Sequence, residues 1–120
     1  MIYVFDTSPF STLFRNYYKE RFPTLWNHFD DLVGDGRIVS TREVKNEILV
    51  GPIADLRDWV TRNREVFTTP TPEEGEFVSQ IFSIRHFQQN VELQKLYTGG
   101  MVADPFVIAK AAVEGGSVVT

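Results

Sequence analysis

The apolar positions of this chain fall into short blocks whose spacing switches between that of a strand and that of a helix. Residues 2–5, "IYVF", are apolar without alternation, as in a parallel strand covered on both faces. Phe10, Leu13, Phe14, Tyr17 and Tyr18 follow at helical spacing, so strand turns to helix directly after Asp6. Ser8 is the predicted helix cap, and Pro9 suits the first helical position, where its missing N–H would have no partner. Leu25, Trp26, Phe29, Leu32 and Val33 predict a second helix, stopped around Gly34 and Gly36. "RIVS" at 37–40 predicts a short strand. "STRE" at 40–43 reads as a capping box, with the Ser40 hydroxyl taking an orphan helix N–H and Glu43 reaching back.

The helix after that box turns Val44 and Ile48 inward and ends before Gly51-Pro52. A further helix over about 53–63 buries Leu56, Trp59 and Val60, and 66–68 predicts a third strand. After Pro70 and Pro72, Glu73 and Glu74 suit a helix's first turn, near its positive end, with Phe77, Ile81 and Phe82 as the core face. A helix is expected over 87–97 and a loop at Gly99-Gly100. Pro105 opens a helix through about Val113, Gly115-Gly116 end it, and residues 117–120 begin another apolar strand. The order β-α-α-β-α-α-β-α-α-β predicts an α/β sandwich around a parallel sheet. Such sheets bind ligands beyond the carboxyl ends of their strands.

Composition narrows the function classes. With 120 residues, 42% of them hydrophobic and 13% aromatic, the chain is expected to form one domain, 1–120, with its own core. No apolar run approaches the ~20 residues of a membrane span, and the N-terminus lacks the pattern of a signal peptide. Cysteine is absent, which excludes disulfides and thiolate metal sites and fits a reducing, cytoplasmic location. A net charge of −4 gives no general attraction to nucleic acid, so such contact needs a local basic patch or bound cations. Arg15, Lys19 and Arg21 form a basic run, and Arg57, Arg62, Arg64 and Arg85 are scattered beyond it. They read first as solvated surface and, if RNA is the substrate, as phosphate contacts. His28 and His86 share no metal-ligand spacing. Trp26 and Trp59 lie on apolar helical stripes and are expected in the core. "VGDGR" and "YTGGM" match no nucleotide-binding loop.

Candidate chemistry rests on carboxylates at similar strand–helix junctions. Asp6 ends the first strand, Glu47 lies in the helix after the second, and Asp104 starts the last helix. Each has a bland local reading: a turn cap, a solvated helix residue and an N-cap. Convergence of all three would mean more, because clustered carboxylates repel one another unless a cation enters.

The stretches "YVFDTSPF", "IVSTREVKNEI" and "ADPFVIAKAAVEGGSVVT" together resemble the PIN-domain nucleases, particularly the small prokaryotic PIN proteins that include toxins of toxin–antitoxin pairs. The resemblance implies a PIN-like α/β/α sandwich with a mainly parallel sheet. It implies a Mg²⁺- or Mn²⁺-dependent endoribonuclease whose catalytic and metal-holding acids are Asp6, Glu47 and Asp104. Glu43 competes for the second place, but its capping box gives it a structural role, and Val44-x-x-Glu47 matches the family motif. Ser8, and less so Thr7, matches a hydroxyl that orients the first aspartate. The implied partners are RNA, a protein antitoxin and a second copy of the chain. Members of the family usually place another acidic residue just after the strand begun by "SVVT" and then add a final strand. The sequence stops at Thr120, so the domain is expected to lack its C-terminal strand.

The chemistry suits the acids. Mg²⁺ prefers hard oxygen ligands, and a metal-assisted attack on a phosphodiester needs no covalent nucleophile. Two other readings stand beside it. One is a PIN-fold binding or scaffold protein that does not cut. The other is an aspartyl phosphatase of another α/β fold with Asp6 as nucleophile, although Ser8 stands where that family needs a second Asp.

Overall fold

The structure is a computed structural model and describes residues 1–84 and 104–120, with Asp104 described in its backbone. The helix and loop expected over 87–100, with Arg85 and His86, lie outside the described residues. Four strands form one sheet in the order β3-β2-β1-β4: β1 (Tyr3–Phe5), β2 (Ile38–Thr41), β3 (Phe67–Thr68) and β4 (Ser117–Val119). All three pairings are parallel, with Val4 opposite Val39 and Val118, and Ser40 opposite Phe67. Between them run α1 (Thr7–Asn16), α2 (Pro23–Gly34), α3 (Arg42–Leu49), α4 (Ala54–Arg62), α5 (Pro72–Phe82) and α6 (Asp104–Glu114). A 3₁₀ turn, Arg64–Val66, takes the place of the start of the expected third strand.

α1 packs on α3 and α4, while α6 packs on α5 and across β1 and β2. The result is the expected α/β/α sandwich. No helix of the described residues is long and apolar enough to cross a membrane.

One aromatic cluster ties the layers together. Phe10 is fully buried, and its ring centroid lies 5.1 Å from Phe5 and 5.6 Å from both Trp59 and Phe67. Trp26 and Trp59, 4% and 5% exposed, both reach Phe29 at 5.5 Å, so each tryptophan is a core residue as expected. Tyr17 and Tyr18 fall beyond the end of α1 and are exposed, and Leu25 turns outward from α2.

The helix starts differ from expectation in two places. α1 begins at Thr7, with Asp6 rather than Ser8 as its cap: Asp6 Oδ1 accepts from the Thr7 N–H at 2.8 Å. α3 is capped by Thr41, whose hydroxyl accepts from the Val44 N–H at 3.2 Å. Ser40 is still in β2 and fully buried, and its hydroxyl donates to the Phe5 carbonyl of β1 at 2.6 Å. The shift by one residue removes the expected box, because Glu43 no longer lies three positions after the cap. The capping box of this chain is instead at α5, where the Glu74 N–H donates to Thr71 Oγ1 at 3.2 Å and Glu74 Oε2 accepts from the Thr71 N–H at 2.9 Å.

Candidate active site

Asp6 is held at the carboxyl end of β1 from both sides. Its N–H donates to the Val119 carbonyl of β4 at 2.9 Å, and the preceding carbonyl, Phe5, is engaged by Ser40 of β2. The strand order turns at this point: β2 and β3 continue on one side of β1, and β4 lies alone on the other. In an open parallel sheet, that switch leaves a crevice beyond the strand ends and is the usual place for a ligand. Asp6 lines a cleft there of about 150 Å³ together with Val107, Ile108, Val118 and Thr120. Its capping role and its place in the crevice coexist, because one carboxylate oxygen satisfies the helix start.

Thr7 links Asp6 to the second acid. Its backbone N–H serves Asp6, and its hydroxyl donates to Glu47 Oε2 at 3.0 Å, forty residues away in sequence. Glu47 is thereby brought to the start of α1. One residue that offers a backbone N–H and a hydroxyl accounts for this bridge, while Ser8 is exposed at the rim of a mainly apolar cleft shared with His28. The hydroxyl that reaches Glu47 is that of Thr7, directly after the aspartate.

Glu43 lies one turn before Glu47. Its Oε1 accepts from Arg42 Nη2 at 2.8 Å and from Arg42 Nε at 3.2 Å, and its Oε2 is buried with no hydrogen-bond partner among the described residues. The structural role that set it aside in favour of Glu47 is therefore absent; Glu47 stands on its own contact with Thr7. Asp104 starts α6, and its side chain lies outside the described residues. The next turn of that helix supplies Val107 and Ile108 to the Asp6 cleft, so the helix N-terminus approaches the same crevice. A second small cavity holds Thr7, Ser11, Arg15 and Glu47 against the turn from α3 to α4. That turn is closed by the Arg57 guanidinium, which donates to the Gly51 carbonyl.

Asp6 and Glu47 line separate cavities that meet at Thr7; hard carboxylate and hydroxyl oxygens are the donor type that suits Mg²⁺ or Mn²⁺. Among the described residues, no three His, Cys, Asp or Glu side chains converge closely enough to hold a metal ion; Asp104, the third ligand implied by the sequence resemblance, is outside that set. Sequence reasoning passed over one charged residue, Lys110. The signal for it was a lone lysine inside the apolar run "PFVIAKAAV", where a helix that packs on a sheet has to bury it.

Residues 3–120 match a family described as a domain of unknown function, DUF4411. No curated protein and no solved structure matches the chain.

Proposed function

The chain belongs to the DUF4411 family, and we propose that it hydrolyses RNA phosphodiesters with the help of Mg²⁺ or Mn²⁺, with Asp6, Glu47 and Asp104 holding the metal. The observation that carries this reading is the Thr7 bridge, which joins Asp6 and Glu47 where the strand order reverses. Capping α1 accounts for the Asp6 contact, but not for the second bond by which the Thr7 hydroxyl holds half-buried Glu47 beside it.

When bound, the cation supplies neutralisation of charge on the phosphate and activation of an attacking water. The residues of the chain supply position. Asp6 is fixed through its backbone to β4 and through its side chain to α1. Thr7 holds Glu47 through its Oε2. Arg15 shares the cavity of Glu47 and Thr7, which makes it the proposed contact for a phosphate next to the bond that is cut. The resemblance to small PIN toxins supplies the wider proposal: a cytoplasmic toxin, a protein antitoxin as its partner, and a second copy of the chain.

The test is cleavage of end-labelled RNA by the purified chain. Cleavage should require Mn²⁺ or Mg²⁺, stop on addition of EDTA, and fall by about 10²–10³-fold in Asp6→Asn and in Glu47→Gln, the scale of losing one preorganised charge-stabilising group. Cleavage that survives EDTA or either substitution would overturn the proposal. Tight Mn²⁺ and RNA binding without cleavage would instead favour a binding protein on the same fold.

A further inference from the structure

Lys110 is 3% exposed, as is Glu74, and the two face each other in the interior. The Lys110 ammonium donates to Thr68 Oγ1 at 2.8 Å and to Glu114 Oε1 at 2.9 Å, and lies 3.8 Å from Glu74 Oε1. These partners belong to three elements: the last residue of β3, the last turn of α6 itself, and the first turn of α5. Glu74 is in turn fixed by the α5 capping box through Oε2, while its Oε1 makes no hydrogen bond among the described residues. The lysine therefore joins α6 to the carboxyl edge of the sheet and to the start of α5.

A buried ammonium is costly to desolvate, and an apolar side chain of similar volume often serves stability as well or better. Stability alone is a weak reason for this arrangement, and geometry is a stronger one. Among the buried residues of α6 are Val107, Ala109 and Ala111, small side chains that specify the rotation and axial position of a helix poorly. Hydrogen bonds are directional, and the one from Lys110 to Thr68 ties the helix to β3, with the Glu74 carboxylate as a second restraint from α5. Lys110 stands under two turns from the first residue of α6, at 3.6 residues per turn; that residue is Asp104.

We propose that Lys110 is a positioning residue: by pinning α6 to Thr68 and Glu74 it sets where Asp104 stands relative to Asp6 and Glu47. The inference rests on the reading of Asp104 as a metal-holding acid. A misplacement of about 1 Å in such a site is enough for a large functional loss.

Mn²⁺ titration of the full chain, followed by the electron-spin signal of the free ion, tests it alongside thermal melting. The variants are Lys110→Met, Thr68→Val and Asp104→Asn, with each of the first two also combined with the third. Lys110→Met and Thr68→Val are each expected to weaken Mn²⁺ binding by about 10-fold. In the Asp104→Asn background that loss should vanish, whereas the shift in melting temperature should be the same in both backgrounds. Thr68→Val removes one hydrogen bond from an exposed residue and keeps the comparison available if Lys110→Met does not fold. Unchanged affinity in Thr68→Val, or an equal loss with and without Asp104, overturns the positioning role. A wild-type chain that binds no Mn²⁺ overturns the metal-site reading itself, a different result from the first two.

Discussion

Two hydroxyls flank the end of β1, Ser40 bonding a strand carbonyl and Thr7 bonding Glu47 of α3, and substitution separates what each does. Ser40 is fully buried and donates to the Phe5 carbonyl. Ser40→Ala removes that donor and leaves a small void, so it should cost about 1 kcal/mol, read as a lower urea midpoint with an unchanged slope. Thr7 is only half-buried, and its two bonds come from different parts of the residue. Thr7→Val keeps the backbone N–H to Asp6 and loses only the hydroxyl that holds Glu47. Its expected signature is a loss of about 10-fold in Mn²⁺ affinity with little change in melting temperature. Thr7→Ser should restore the affinity, and Ser8→Ala should change neither quantity. Equal effects of Thr7→Val and Ser8→Ala on Mn²⁺ binding would remove Thr7 from the site.

At the scale of elements, the joint between α6 and β4 is tightly constrained. Gly115 has φ +69°, in the left-handed region that a glycine enters without penalty. A Cβ at Gly116 would stand 2.8 Å from the Ile2 carbonyl oxygen, a backbone atom that also accepts from the Ser117 N–H at 2.9 Å. Gly116→Ala therefore cannot be relieved by a side-chain rotation; β4 has to move away from β1. The expected cost is about 1–3 kcal/mol, as for other overpacked sites, measured by chemical denaturation. Because the Val119 carbonyl at the far end of β4 holds the Asp6 N–H, RNA cleavage should fall as well. The existence of this joint was legible in "EGGS", since two glycines after a helical run mark a stop. The helix starts were less legible. Ser40 and Thr41 are both good caps and both pair with β3, but the Ser40 hydroxyl is spent on the Phe5 carbonyl, and Thr41, the last residue of β2, is the one next to the helix. The box at "TPEE" is present in the sequence as a spacing, Thr71 to Glu74, that also fits acids near a positive helix end.

Across the whole molecule, local pattern revealed the parallel strands and the helices between them, but not the strand order. No short window of sequence says that β4 pairs with β1 rather than with β3, and that pairing makes the end of β1 a crevice with Asp6 in it. Nor does it say that a lysine in α6 would meet a glutamate in α5 and a threonine in β3, because each of those contacts spans a large sequence separation. The aromatic cluster is long-range in the same sense. Phe10 of α1 touches the rings of Phe5 from β1, Trp59 from α4 and Phe67 from β3, and Trp59 touches Phe29 from α2. Elements that share one cluster cannot lose their packing separately. Unfolding followed by tryptophan fluorescence, which reports Trp26 and Trp59, should therefore coincide with unfolding followed by far-UV circular dichroism, as in a two-state transition. Phe10→Ala empties the centre of the cluster and should lower stability by about 3–5 kcal/mol, moving both midpoints together. A fluorescence transition that runs ahead of the dichroism in either protein would show that the aromatic layer melts by itself and that the cluster does not join the elements into one cooperative unit.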